Sequence, residues 1–560
     1  MKFRIITTAF FLILLYVFLG LRLYYVQISC HEKFESMAKN YYKIQVKKLS
    51  PYRGGIFDRN GIPLAINEHT YSIGFNGKFS DLNSDIRKDI KNTLGSRCIK
   101  SNMGREYGGF KWLARHVSPH TAEYLSKYNS KGLIFTQENS RFYPSSPLAS
   151  SLIGCVGTDN QGLSGIEYNF DRQLRGAEKI QQFIRDARGQ IIHVSSNDSD
   201  EKNGVSNIWL TIDINLQYIL ERELKNGQEK YMTGWGMAIV QDPDTGDILA
   251  MAEYPSFNNN SGVPKNVKDL RNRAVSYIFE PGSTFKIVTS AAALEENIIK
   301  KDDLIDCEGG EYEVGGFPIR DFEAYDSLTF EDCIVHSSNI GMSKIGERLQ
   351  SRLLFKYARD FGFGNFTGIR LPGETRGILR KPDRWSGTSL TRISFGQEIG
   401  VTAVQLVGAF STIANGGHLY EPRIVKQIEF NESKRQFEPL KIRRVISQRT
   451  AGALNNILKE VVKRGSGVQA KLKGYTVAGK TGTAQKYDPQ TQTYKDKKYL
   501  ALFGGYVPAD NPALAIVVIF DEPNVETYWG GYVAAPVFAQ IAAASLSYLN
   551  VPPSLQSDED

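Results

Sequence analysis

Pro281-Gly282-Ser283-Thr284-Phe285-Lys286 places a hydroxyl and an amine three positions apart. Pro281 and Gly282 punctuate the entry to a helix, and Phe285, Ile287, Val288 and the run Ala291 to Leu294 continue it with apolar side chains. Residues at i and i+3 share a helical face, so the spacing lets the Lys286 amine reach the Ser283 hydroxyl. Serine is a poor nucleophile near neutral pH until a base takes its proton. A neutral amine can do so, and a helix N-terminus favours the negative charge that develops on the oxygen.

A Ser-x-x-Lys pair alone is weak, since about two arise by chance at ordinary residue frequencies in a chain of this size. Two further elements follow in order, Ser337-Ser338-Asn339 and Lys480-Thr481-Gly482-Thr483. Taken singly, the first reads as a helix cap and the second as a turn at a strand end. They are distant in sequence, so only a folded domain brings them together.

Outward from these elements, the pattern is α+β. Ile208 to Ile212 is strand-like and Leu216 to Leu224 helical. The apolar strands Gly236 to Gln241 and Asp247 to Ala252 flank the turn Asp242-Pro243-Asp244-Thr245-Gly246. A long helical stretch carries Ser337 to Asn339. Strands Leu500 to Val507 and Leu514 to Phe520, and an alanine-rich helix from Tyr532 to Leu549, close the domain. Strands at both ends with helices between predict an antiparallel sheet covered by helices.

Towards the N-terminus, Arg141 to Gly176 is rich in Gly, Ser and Pro and reads as turns and short strands, and Leu82 to Leu94 has helical spacing. The turn Asn60-Gly61 is flanked by strand-like Ile62 to Ile66 and Tyr71 to Phe75. Val26 to Lys48 reads as a helical stalk. The uncharged run Ile5 to Leu21 follows Lys2 and Arg4 and ends at Arg22. At 1.5 Å per residue it spans about 26 Å, enough for a short transmembrane helix. No small-x-small cleavage site follows, which favours an uncleaved anchor over a signal peptide. Lys2 and Arg4 place the short tail in the cytoplasm and the remainder outside. The expected organisation is a stub and anchor over 1–24, a stalk and mixed α/β pedestal over 25–204, a catalytic domain over 205–550 and a disordered tail over 551–560.

The 41% hydrophobic and 23% charged content is ordinary for a globular chain, and a net charge of +8 without a long basic block argues against nucleic acid as a partner. Cys30, Cys98, Cys155, Cys307 and Cys333 are scattered without a CxxC pair and read as buried free thiols. His116 and His120 are interrupted by Pro119, so no metal helix is expected, and no cofactor motif stands out. His336 adjoins Ser337, but no G-x-S-x-G elbow supports a serine–histidine pairing.

Ser-x-x-Lys, Ser-x-Asn and Lys-Thr-Gly in this order resemble the serine set of penicillin-binding proteins and class A β-lactamases. Arg53-Gly54-Gly55-Ile56-Phe57-Asp58-Arg59-Asn60-Gly61, Arg141-Phe142-Tyr143-Pro144 and Gly162-Leu163-Ser164-Gly165-Ile166-Glu167 resemble elements of the non-catalytic domain of class B penicillin-binding proteins. Tyr254-Pro255-Ser256-Phe257 and Phe395-Gly396-Gln397 extend the resemblance. Asp159 to Leu163, Asn272 to Ser276, Phe279 to Gly282, Lys480 to Tyr487 and Pro508 to Pro512 are similar to the division-specific (FtsI-type) peptidoglycan D,D-transpeptidases.

The resemblance implies a serine acyl-enzyme formed from the D-Ala-D-Ala end of a stem peptide and passed to a diamino-acid acceptor, with β-lactams as inhibitors and no cofactor. It implies Ser283 as nucleophile, Lys286 as base and Ser337 as proton relay. Asn339 binds the peptide amide and Lys286, while Lys480 is a second cation that attracts the substrate carboxylate and, together with partial burial, depresses Lys286. Thr481 and Thr483 offer hydroxyls to that carboxylate, Gly482 lets a ligand approach, and the backbone N–H groups of Ser283 and Thr483 form an oxyanion hole. Arg53, Asp58 and Glu167 read as structural, holding the two domains together. An FtsW-type glycosyltransferase and divisome proteins are the implied partners. The elongation-specific homologue, a β-lactamase or carboxypeptidase, and a non-catalytic β-lactam sensor or division scaffold are the alternatives.

Overall fold

Leu514–Asp521 is an unbroken run of buried residues, and such a run fits a strand covered on both faces. It is the middle strand of a five-stranded antiparallel sheet with the order Ile248–Tyr254, Trp235–Gln241, Leu514–Asp521, Thr493–Val507 and Ala478–Asp488. The computed structural model describes residues 2–41, 44–49, 52–76, 78–99, 110–175, 179–185, 191–196, 204–264, 266–431, 433–488 and 493–554.

Strand alternation divides the core. Ala515, Val517 and Ile519 join Met237, Ile239 and Leu502 in one cluster; Ile516, Val518 and Phe520 join Ala238, Val240 and Phe503 in the other. The first cluster holds apolar residues of helices Lys286–Glu295, Ala403–Ala414 and Gln448–Arg464, among them Val288, Phe410 and Leu458. The second holds Leu220 and Leu224 of helix Ile214–Tyr231 and Phe538 of helix Gly530–Tyr548. The ring of Phe538 meets Phe503 edge-on, with centroids 4.7 Å apart. This is the helix-covered antiparallel sheet that the order of elements predicts.

Among the described residues the chain forms two compact units that do not follow chain order. One comprises Met1–Tyr52, His69–Asn139 and Ala177–Asn203, the other Arg53–Glu68, Ser140–Gly176 and Gly204–Asp560. The boundary expected near 204 therefore leaves out two early segments that fold with the later residues. Ile56 pairs with Ala65 and, in parallel, with Ile208, while Tyr143, Ile153, Ile166 and Leu174 enter the first core cluster. The other unit has its own core of Ile73, Phe75, Ile90, Leu94, Leu113, Val117 and Leu125, built partly from helix Ser84–Leu94, which Asn83 caps.

Four expectations change. The stalk helix ends at Tyr41, and Ile44–Leu49 is a strand paired with Lys179–Arg185, as the alternation of Ile44 and Val46 with polar residues favours. The Gly/Ser/Pro-rich stretch holds three short helices, Ser150–Ile153, Gly165–Asn169 and Asp171–Arg175, because Leu152, Ile166 and Leu174 anchor each of them in the core. Cys155, Cys307 and Cys333 are buried thiols, but Cys30 and Cys98 are half-exposed. Of the expected disordered tail, 555–560 lie outside the described residues, whereas Ser554 N donates to Gly474 O (2.9 Å). Lys2–Tyr24 is one continuous helix with no buried residue, and with its extension to Ser29 it is long and apolar enough to cross a membrane.

Arg53, Asp58 and Glu167 all lie within the second unit. Arg53 and Glu167 are fully buried, joined Nε to Oε2 at 2.5 Å. Arg141 Nε donates to the other Glu167 oxygen (2.7 Å), and Arg53 Nη1 donates to Asp171 (2.6 Å). Asp58 Oδ1 accepts from Asn60 N and Ile62 N, which forms the Asn-Gly turn. Glu167→Ala would leave the buried Arg141 without a carboxylate and Arg53 with Asp171 alone. Urea unfolding of the full chain in detergent should show a loss of about 3–5 kcal/mol; an unchanged midpoint would mean the network carries no stability.

Candidate active site

Gly282–Phe285 forms a single 3-10 turn that passes directly into helix Lys286–Glu295. Gly282 adopts φ +52°, a left-handed conformation that favours glycine. Gly396 lies so close that an added Cβ would sit 2.0 Å from Gly282 O, which explains why Phe395-Gly396-Gln397 carries a glycine. On the other side, a Cβ on Gly482 would meet Thr284 Cγ2 at 2.9 Å and Pro281 O at 3.1 Å. The missing side chain of Gly482 thus seats strand Ala478–Asp488 against the serine turn, rather than making room for a ligand alone.

The three motifs meet at one hydroxyl. Lys286 Nζ donates to Ser337 O (2.6 Å) and Asn339 Oδ1 (2.9 Å) and lies 3.2 Å from Ser337 Oγ. Lys480 Nζ donates to the same Ser337 Oγ (2.9 Å). Both lysines are fully buried. Ser337 adopts φ +63°, a conformation that costs a non-glycine residue about 1–2 kcal/mol. The expected approach of Lys286 to Ser283 takes a different form: among the described residues, its amine is hydrogen bonded to Ser337 and Asn339 and not to Ser283. Ser283 is half-buried and opens onto a cavity of about 800 Å³, also lined by Ser337, Asn339, Thr481, Gly482 and Thr483.

Burial pushes Lys286 down to about 7, opposed by the nearby negative charge of Asp321. Burial also pushes Lys480 well below the ordinary lysine range, and the charge of Lys286 adds to this. Of the two expected causes of a depressed Lys286, burial and a second cation, burial is the larger, and it is the larger for Lys480 as well. The threonine hydroxyls already have partners. Thr481 Oγ1 pairs with Ser466 Oγ (2.7 Å), and Thr483 Oγ1 accepts from Gly530 N (3.1 Å). His336 is exposed, its ring 5.4 Å from that of Tyr325.

Two groups escaped the sequence reading of the site. Glu280 lines the cavity, accepts from Glu398 N (2.9 Å) and from the Tyr494 hydroxyl, and is pushed up to about 7 by burial. Its position beside Pro281 was the available signal. Asp321 accepts from Ser338 Oγ (2.5 Å), and nothing in its local sequence marks it.

The Penicillin binding protein transpeptidase domain family matches residues 236–543, and the Penicillin-binding Protein dimerisation domain family matches residues 48–207. The chain is 34% identical to Stage V sporulation protein D of Bacillus subtilis over 98% of its own length and 86% of that protein's. It belongs to the class B penicillin-binding proteins. Peptidoglycan D,D-transpeptidase FtsI of Escherichia coli is 33% identical, with 92% of this chain and 87% of that protein covered. The crystal structure of Penicillin binding protein 3 from Mycobacterium tuberculosis, complexed with aztreonam, superposes with a TM-score of 0.70 at 27% identity, covering 91% of this chain and 98% of that one. This class B protein is a serine-type transpeptidase of peptidoglycan synthesis, and its family acts on stem peptides in association with the membrane.

The seating of the serine turn generates a prediction. Gly396→Ala drives a methyl group into the Gly282 carbonyl, and covalent labelling by a fluorescent penicillin should slow at least about tenfold, by displacement of the turn. Labelling at the parent rate would mean that Gly396 does not support the Ser283 turn.

Proposed function

We propose that this transpeptidase cross-links stem peptides at the division septum, with Ser283 as its nucleophile, and that β-lactams acylate the same residue. The observation that carries the site assignment is that Lys286 and Lys480, both buried, meet at one hydroxyl, Ser337 Oγ (3.2 and 2.9 Å), on the wall of the cavity that holds Ser283. Ser283 Oγ attacks the carbonyl between the two terminal D-alanines, and its proton passes to neutral Lys286. Ser337 Oγ relays a proton towards the departing D-alanine nitrogen. The backbone N–H groups of Ser283 and Thr483 bind the oxyanion, a contribution of about 10²–10³-fold per donor in such sites. The arriving carboxylate, beside Thr481 and Thr483, supplies the counter-charge that favours protonated Lys480. Asn339 binds the peptide amide. An acceptor amine then attacks the ester, restoring the Ser283 hydroxyl.

Lys2 and Arg4 ahead of the apolar helix support a single-pass anchor in the bacterial cytoplasmic membrane, with the catalytic unit outside. The segments Asn272 to Ser276 and Phe279 to Gly282 support the septal role, and with it a FtsW-type glycosyltransferase and divisome proteins as partners. Depletion should produce filaments; round cells would assign the chain to elongation instead.

Ser283→Ala should abolish covalent penicillin labelling, and Lys286→Ala should slow it by about 10²–10⁴-fold with the fold intact. Undiminished labelling of Ser283→Ala would remove the nucleophile assignment. The pH dependence has a definite sign. The neutral amine is the base, so acylation should rise about tenfold per pH unit up to about pH 7 and level off above it. A rise that continues to pH 10 would mean an ordinary lysine.

A further inference from the structure

Asn339 is held from two sides. Its Oδ1 accepts from Lys286 Nζ (2.9 Å), and its Nδ2 donates to Arg320 O (2.9 Å). The second bond sets which end of the amide faces the amine. Arg320 ends the hairpin Glu311–Val314/Phe317–Arg320, and the next residue is Asp321. Asp321 N donates to Gly310 O (3.2 Å), which ties the carboxylate's own backbone down. Asp321 Oδ2 accepts from Ser338 Oγ (2.5 Å); Oδ1 accepts from Asn339 N (2.5 Å) and Ile340 N (3.1 Å). One carboxylate thus holds three successive residues at the start of helix Asn339–Asp360, where backbone N–H groups lack partners within the helix.

We propose that Asp321, which lies in none of the three motifs, is a positioning residue of the acylation step: it fixes the Ser337–Asn339 turn on Lys286 and sets a negative charge against that amine. The proposal rests on Ser283 as nucleophile and Lys286 as base. The other ionisable groups facing Lys286 are Cys333 and Lys480. The Cys333 thiol is held far above its ordinary value by its hydrogen bond with Cys307 and by burial, so it is uncharged at neutral pH; Cys307, lowered to about 7 by that hydrogen bond, touches Ser338 Oγ (3.7 Å), and Lys480 opposes protonation of Lys286. Asp321 is therefore the group whose charge favours protonation, against the larger effect of desolvation.

The test is the pH profile of Ser283 acylation by a labelled penicillin, in the full chain in detergent, for the parent, Asp321→Asn and Asp321→Glu. Asp321→Asn removes the charge and can no longer accept on both sides of the turn. Its acid limb should move to lower pH by about one unit, and its plateau rate should fall about tenfold. Asp321→Glu retains the charge and should return the limb towards the parent position. A thermal melt establishes that each variant is folded. An unmoved limb in folded Asp321→Asn overturns the proposal, even if the plateau falls, because a purely structural support would lower the plateau alone. A parent chain that carries no adduct on Ser283 would instead overturn the underlying nucleophile assignment, and the two failures are distinguished by peptide mass mapping of the parent.

Discussion

Two buried amines share one hydroxyl, and the site is organised around the cost of that arrangement. An ammonium group taken out of water loses several kcal/mol of solvation, and two close together also repel. Neither lysine has a carboxylate within salt-bridge distance among the described residues. Each bonds instead to neutral oxygens, and Asp321 is set behind the Ser337–Asn339 turn. Such surroundings favour the uncharged amine, which is the form able to take a proton from serine near neutral pH.

The rest of the catalytic unit makes this burial possible. The sheet is apolar on both faces, so strand Ala478–Asp488 can carry Lys480 into the interior at its edge. Gly482 and Gly396 remove the side chains that would keep the serine turn at a distance. The first core cluster spans the serine helix, the Ser337–Asn339 helix and residues 53–68 and 140–176. The buried Arg53–Glu167–Arg141 network therefore belongs to the same compact unit as the chemistry, although it is remote from the site in sequence.

The residues that line the candidate site were more legible in the sequence than the packing around them. Ser283, Lys286, Ser337, Asn339, Lys480, Thr481, Gly482 and Thr483 stand in short, ordered motifs. The strands around Leu514 and Trp235 are marked by apolar runs too short for helices. The three small helices between Ser150 and Arg175 were not legible, because Gly, Ser and Pro dominate the local pattern and only tertiary burial of Leu152, Ile166 and Leu174 decides their form. Asp321 was invisible for a related reason: its role depends on a hairpin folding back onto a helix start, and no spacing in the chain encodes that contact. Burial of Lys286 was expected only as partial, since neighbouring charge can be read from motifs but depth of burial cannot.

Everything rests on a Lys286 amine that is about half uncharged at pH 7, and more so above it, before any substrate arrives. Lysine side-chain NMR on the full chain, with the Lys286 resonance assigned by Lys286→Arg, measures this directly. The account predicts a titration midpoint of about 7. A midpoint near the ordinary lysine value of about 10.4 would contradict it.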